Sequence, residues 1–156
     1  MTQHRSFTGA GYNLLCAHNE PEWHKDMNPG NQDGAWLFGA EYQDAGSMNK
    51  NKWHDAACVV CQLKSASVLP YVQWGRRTCA NDHKLVYTGL VMGDSHLDKA
   101  KHEFVCVDME RAAHKTNNPA HEGGLHLYST EFENSALWPG LDKYGSNKEI
   151  ACAVCA

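Results

Sequence analysis

The stretch Ala151-Cys152-Ala153-Val154-Cys155 has a close counterpart 94 positions earlier in the chain, Ala57-Cys58-Val59-Val60-Cys61. Valine between the cysteines favours extended backbone, so both stretches are predicted to be strands. In a strand, residues three positions apart point to opposite faces of the sheet. We therefore expect the two cysteines of each stretch to bond to different partners.

The similarity continues upstream at a shift of 90 positions, where residues 16–42 align with residues 106–132. Nine of these 27 positions are identical, which indicates one structural unit present twice. A duplicated unit implies two equivalent sites. The identical pairs are Cys16/Cys106, Glu20/Glu110, His24/His114, Lys25/Lys115, Asn28/Asn118, Pro29/Pro119, Gly34/Gly124, Leu37/Leu127 and Glu41/Glu131.

Short apolar and aromatic runs separated by polar loops predict a mostly β protein without amphipathic helices. We expect two homologous, disulfide-stapled β modules packed with pseudo-two-fold symmetry. Residues 1–62 form the first repeat, residues 63–70 a linker that ends in a proline, and residues 71–156 the second repeat. Besides the two cysteine stretches, strands are predicted at residues 12–16, 36–42, 71–75, 85–88, 103–107 and 126–132.

Charge and hydropathy exclude several classes of partner for this chain of 156 residues. A net charge of -4 argues against the broad basic surface that binds a phosphate backbone, so no nucleic acid is expected. No apolar run reaches about 18 residues, so no membrane span is expected. Residues 1–7 contain no apolar signal-peptide core, which is typical of a cytoplasmic chain or of a mature secreted one.

The cysteine count favours the secreted alternative. Seven cysteines in two small modules predict an oxidised, extracellular framework of disulfides. The second half contains enough cysteines for two bridges, whereas the first half contains three and leaves one over. An odd cysteine in a secreted protein indicates an intermolecular bridge or a free thiol. The disulfide candidates are Cys16, Cys58, Cys61, Cys79, Cys106, Cys152 and Cys155.

Zinc binding is the alternative interpretation of the two C-x-x-C pairs and the ten histidines. Zinc knuckles need a tight turn after the first cysteine, whereas Val-Val and Ala-Val favour extended backbone. A thioredoxin-like redox motif needs a following helix, and none is predicted after either pair.

Several stretches of the second half carry a family resemblance. They are Tyr71-Val72-Gln73-Trp74-Gly75-Arg76-Arg77-Thr78-Cys79, Leu85-Val86-Tyr87-Thr88-Gly89, Phe104-Val105-Cys106-Val107, Leu127-Tyr128-Ser129-Thr130-Glu131-Phe132 and Cys152-Ala153-Val154-Cys155. Together they resemble the cysteine-bearing extracellular module of marine invertebrate short-chain collagens and related secreted lectin-like proteins. The chain contains no Gly-X-Y run, so it is not itself a collagen. The resemblance implies no catalytic activity.

The first half matches this module only in part. It is similar from Thr8 to Tyr42 and at Cys58 and Cys61, but it lacks the Trp-Gly-Arg strand and the cysteine of that strand. This departure accounts for the odd cysteine count. It leaves open whether the first copy folds alone or takes a strand from its neighbour or from a partner chain.

Each repeat also contains the residue types that bind sugars. Carboxylates and amides offer planar hydrogen-bonding groups, and an aromatic ring covers the apolar side of a pyranose. The same residues are equally compatible with turn and loop structure, because asparagine and proline shape turns and glutamate accepts backbone N–H bonds. The candidate ligand-binding residues are His24, Lys25, Asn28, Asp33, Trp36 and Glu41 in the first copy and His114, Lys115, Asn118, Glu122, His126 and Glu131 in the second.

We predict a secreted lectin with one glycan site in each repeat, because two weak sites on one chain gain avidity toward multivalent surfaces. The alternative is an extracellular matrix module whose spare cysteine joins two chains in a homodimer. No enzyme is expected, because no nucleophile elbow or phosphate-binding loop occurs. No cofactor is expected either; calcium is an alternative, since Asp26, Asn31, Asp33 and Glu122 offer oxygen ligands without EF-hand spacing.

Overall fold

A computed structural model describes nine parts of the chain. These are residues 6, 11–23, 34–44, 51–64, 68–80, 83–99, 101–114, 124–132 and 148–156. Within these residues the protein contains strands and turns but no helix, as the mostly β prediction requires. No helix long and apolar enough to cross a membrane was found there.

Six strands form one mixed sheet. They are β1 (Ala40–Asp44), β2 (Tyr71–Trp74), β3 (Leu85–Gly93), β4 (Val105–Asp108), β5 (Leu125–Ser129) and β6 (Ala151–Cys155). The order across the sheet is β1-β5-β3-β6-β2, and β4 also pairs with β3. The β1–β5 pair is parallel, and the other pairs are antiparallel. The sheet therefore combines β1, from the predicted first repeat, with five strands from the second.

Strand β6 lies between β3 and β2, and three of its five residues are buried. Cys152, Ala153 and Cys155 are fully buried. Cys152 is bonded to Cys106 on β4, and Cys155 is bonded to Cys79 beyond β2. The prediction of different partners for the two cysteines, and of two bridges in the second half, is confirmed.

A third disulfide joins Cys16 to Cys58 in the first half, and Cys61 is the free cysteine. The predicted leftover cysteine in the first half is therefore confirmed. The sequence alignment places Cys16 opposite Cys106 and Cys58 opposite Cys152, so the two bridges connect corresponding positions.

Two backbone contacts also connect corresponding positions of the two halves. The isolated bridge Glu41↔Asp55 corresponds to Glu131↔Glu149 through the same two shifts. The amide of Ala56 donates to the carbonyl of Ala40 at 2.7 Å, and the corresponding amide of Ile150 donates to the carbonyl of Thr130 at 2.9 Å.

Two strand predictions are wrong. Residues 12–16 and 57–61 form no strand, although residues 103–107 and 151–155, their counterparts, contribute β4 and β6. In the second half those strands are paired by β3 and β2. The first half has no sequence corresponding to the Trp-Gly-Arg strand, and among the described residues no strand pairs with 57–61. A composition that favours strands is therefore not sufficient to form one when no neighbouring strand pairs with its backbone.

The apolar core lies on the face of the sheet where Tyr42, Met92, Leu125 and Leu127 meet, each at most 4% exposed. Tyr42 on β1 is in register with Leu127 on β5, so the parallel pair brings both side chains into this cluster. A strand from each side of the predicted linker thus contributes to one core, and burial of these side chains stabilises their association.

The β1–β5 pair begins at a close backbone approach. A Cβ atom added to Gly124 meets the carbonyl oxygen of Gly39, and the next residue, Leu125, donates its N–H to that oxygen at 3.0 Å. Backbone cannot move aside as a flexible side chain does, so this contact requires glycine. Gly34, at the aligned position of the first half, has no atom within 4 Å of an added Cβ.

These aligned glycines give a matched pair of variants. We expect Gly124→Ala to lower the free energy of unfolding by about 1–3 kcal/mol, because the new methyl overpacks the start of β5. Gly34→Ala should change it by less than about 0.5 kcal/mol. Urea unfolding under non-reducing conditions measures both, and equal effects would contradict the β1–β5 contact.

Candidate functional site

Two of the predicted ligand-binding residues, Glu41 and His126, meet inside the protein. They are register partners on β1 and β5, and Nε2 of His126 lies 3.7 Å from Oε2 of Glu41. Glu41 is 3% exposed and His126 is fully buried. The pair lies on the face of the sheet opposite Tyr42 and Leu127, because neighbouring residues of a strand point to opposite faces. The structure thus brings together one predicted residue from each repeat.

Aromatic rings surround this pair. The Trp53 ring meets His126 edge-on with centroids 6.1 Å apart, and the Tyr128 ring does so at 6.2 Å. Trp53 has a φ of 67°, a left-handed conformation that is uncommon for a bulky residue. Its amide donates to the carbonyl of Tyr42 at 2.8 Å. This turn positions the indole against the histidine.

We call Glu41, His126, Trp53 and Tyr128 the buried polar cluster. Its acid–base pair has almost no surface with which to contact a sugar in this structure. A buried carboxylate and imidazole are costly to desolvate, and their mutual interaction offsets part of that cost. The geometry therefore makes each of the two side chains depend on the other, because removal of one leaves the other buried without this partner. Direct contact of either side chain with a glycan stays a prediction and requires the cluster to open.

A second buried pair was missed by the sequence analysis. Nε2 of His102 lies 3.3 Å from Oδ1 of Asp94, and their side chains are only 1% and 8% exposed. Asp94 directly follows β3, and His102 lies shortly before β4. Antiparallel pairing of β3 with β4 brings these flanking residues together. The sequence analysis predicted this strand only for residues 85–88, so it did not place Asp94 at the end of β3.

Tyr42 links the core to the chain after β4. The guanidinium carbon of Arg111 lies 5.0 Å from the centre of the Tyr42 ring, a cation–π contact. Burial raises the pKa of the Tyr42 phenol; the positive charge of Arg111 opposes this rise, and the Asp108 carboxylate adds to it. The tyrosine is therefore held neutral inside the protein.

Among the described residues, three further predicted ligand-binding residues, Trp36, His114 and Glu131, are not part of the buried polar cluster. Trp36 is 49% exposed and lies with its ring centroid 6.4 Å from that of Phe38. His114 and Glu131 are exposed. The remaining predicted residues lie outside the described residues: His24, Lys25, Asn28, Asp33, Lys115, Asn118 and Glu122.

The surface around Cys61 is the second candidate site. Val59 and Val60, directly before the free thiol, are 78% and 81% exposed. Tyr87 on β3 donates its O–H to the carbonyl of Cys106 at 2.8 Å. Burial raises the pKa of the Tyr87 phenol, with further contributions from Asp108 and Cys61. The Cys61 thiol itself is exposed to solvent.

The sulfur atoms do not favour a metal centre. Six of the seven cysteines are in disulfides, so their sulfurs are not thiolate ligands in this structure. Across the described ranges, no group of three histidine, cysteine, aspartate or glutamate side chains is arranged to hold a metal ion. The calcium alternative named Asp26, Asn31, Asp33 and Glu122, all of which lie outside those ranges.

Comparison of the chain with protein-family models, with curated proteins and with solved structures found no match.

The buried polar cluster predicts unequal roles for the two aligned glutamates. We expect Glu41→Ala to lower the free energy of unfolding by about 3 kcal/mol, because it leaves His126 buried without its carboxylate partner. Glu131→Ala, at the exposed aligned position, should change it by less than about 0.5 kcal/mol. Urea unfolding of both variants measures the difference, and equal losses would contradict the structural role of the Glu41–His126 pair.

Proposed function

We propose that this protein is an extracellular assembly module that joins other polypeptides covalently through Cys61. The observation that carries the proposal is the state of the cysteines: six are paired within the chain, and the seventh is exposed beside two exposed valines. An exposed, unpaired cysteine in a disulfide-bonded protein is suited to an intermolecular bridge.

The disulfides support an oxidising compartment. Three intramolecular bridges in a chain of 156 residues are typical of secreted proteins, whereas cytosolic thiols are kept reduced. The resemblance to the cysteine-bearing module of short-chain collagens agrees with an extracellular matrix location. We infer that the protein acts after secretion, where the Cys61 thiol meets partners that also carry oxidisable cysteines.

We infer that the two halves derive from one duplicated unit, and this origin accounts for the free thiol of Cys61. The corresponding disulfides Cys16–Cys58 and Cys106–Cys152 support this inference. Under the same alignment Cys61 corresponds to Cys155, which is bonded to Cys79. The first half contains no counterpart of Cys79. Cys61 thus occupies a bridge-forming position and is unbonded in this structure.

The role is one of assembly rather than catalysis. Both carboxylate–histidine pairs of the described residues, Glu41–His126 and Asp94–His102, lie almost entirely out of contact with solvent. A general acid or base must come within hydrogen-bond reach of its substrate, which these closed positions do not offer.

The proposal predicts that covalent association depends on one residue. Wild-type protein in a glutathione redox buffer, mixed with extracellular matrix extract, should form products that a reducing agent dissociates on a gel. Cys61→Ser should lose nearly all of these products, because no other described thiol is free. Gln62→Ser, an exposed neighbouring change, is the control and should retain them. Equal product from Cys61→Ser and wild type would contradict the proposal.

Glycan binding is a second candidate function, favoured by the exposed tryptophans. Trp23 is 83% exposed and Trp36 is 49% exposed. Both rings are therefore accessible to the apolar face of a pyranose. Trp36 belongs to the predicted sugar-binding set and lies beside Phe38.

A glycan array tests this second function. We expect several hits of millimolar to micromolar strength, with Trp36→Ala reducing the signal about tenfold, since stacking on a pyranose would be lost. Leu97→Ala, an exposed apolar change on a different loop, is the control. An array without hits, or full binding by Trp36→Ala, would contradict it.

A further inference from the structure

Residues 57–61 form an exposed segment outside the strands of the sheet, and this segment has the composition of a strand. Val59 and Val60 have most of their surface in solvent, and Cys61 is exposed. Among the described residues, no backbone hydrogen bond of a sheet ladder joins this segment to a neighbour. β-branched side chains and unpaired backbone groups at one place are the features that accept an added strand.

The second half shows how the corresponding segment is completed. Strand β2 pairs with β6 in antiparallel register, with Tyr71 opposite Cys155 and Trp74 opposite Cys152. Under the alignment, Cys155 corresponds to Cys61 and Cys152 to Cys58. A strand of the β2 type therefore has a defined register on residues 58–61.

The chain that follows β2 brings a cysteine back to β6. Gly75 has a φ of 76°, a conformation that turns the chain, and its amide donates to the carbonyl of Ala151 at 2.8 Å. The amide of Ala80 donates to the hydroxyl of Tyr71 at 3.2 Å. This return places Cys79 beside Cys155, where the disulfide forms.

We propose that residues 57–61 bind an antiparallel strand of another polypeptide, and that Cys61 forms a disulfide with a cysteine spaced from that strand as Cys79 is from Tyr71. The partner strand is extended, with an aromatic residue at each end and a glycine turn after it. This inference rests on the proposed assembly function and specifies the chemistry of the partner.

The bond forms by thiol–disulfide exchange. The Cys61 thiolate attacks the partner cysteine, which is held as a mixed disulfide with a small thiol such as glutathione. The new S–S bond forms as the bond to the small thiol breaks. The small thiol leaves as a thiolate and takes up the proton that Cys61 lost, so no further oxidant is consumed.

A second copy of this chain is poorly suited to supply the strand and cysteine that bind residues 57–61. Its own Cys79 is already bonded to Cys155, and its β2 is paired with β6. Donation by a second copy therefore breaks a buried disulfide and removes a strand from its own sheet. A polypeptide that presents an unpaired strand of this type has neither cost.

A synthetic peptide with the sequence of residues 71–79 is the probe. Its cysteine is activated as a mixed disulfide with nitrothiobenzoate, and release of the coloured thiol gives the rate of reaction with the 156-residue chain. We expect this peptide to react about tenfold faster than a scrambled peptide with the same terminal cysteine, because strand binding raises the effective concentration of the thiol. Cys61→Ser protein should release no thiol from either peptide.

The site of binding is checked by hydrogen exchange of the linked product. The amides of residues 58–60 should be protected in the adduct with the native-order peptide and unprotected in the scrambled adduct. Equal rates and equal exchange would overturn the strand proposal while leaving covalent assembly through Cys61 intact. Disulfide-linked homodimers that form faster than the peptide adduct would assign the surface to a second copy and would also overturn it.

Discussion

Strand β6 is the constraint on which the rest of the structure depends. It is hydrogen-bonded on one edge to β3 and on the other to β2, and its cysteines are bonded to Cys106 and Cys79. Since these cysteines are three positions apart, the two bridges attach opposite faces of one strand. Cross-links over these sequence separations reduce the entropy of the unfolded chain. The disulfides therefore compensate for an apolar core with few fully buried side chains.

The first half shows what the same sequence pattern does without its neighbours. Residues 57–61 retain one bridge, through Cys58, but lie exposed where their counterpart is central. Strand β1 of this half is paired with β5 of the second half. Its pairing carries Glu41 onto His126 and Tyr42 into the core. The first half therefore takes the strand partner of β1 from the second half, whereas residues 57–61, with the free Cys61, remain exposed.

The sequence predicted the mostly β class and the separate partners of Cys152 and Cys155, because both follow from local composition and the two-residue period of a strand. It predicted Glu41 and His126 as ligand-binding residues but not their burial, because no local pattern reveals that β1 crosses to pair with β5. The strand predicted at residues 57–61 does not form for a similar reason: strand propensity is a local property, whereas strand pairing requires a neighbour that is distant in sequence. The Asp94–His102 pair was missed because composition alone did not show that β3 extends to Gly93, directly before Asp94.

The disulfide connectivity of the native protein tests the central role of β6 most directly. Proteolysis at low pH without reduction, followed by mass spectrometry, identifies the peptides that each sulfur joins. The account predicts that Cys152 is linked to Cys106 and Cys155 to Cys79. A peptide in which Cys152 or Cys155 is reduced, or is linked to Cys61 or to Cys16, would contradict a central strand held on both faces.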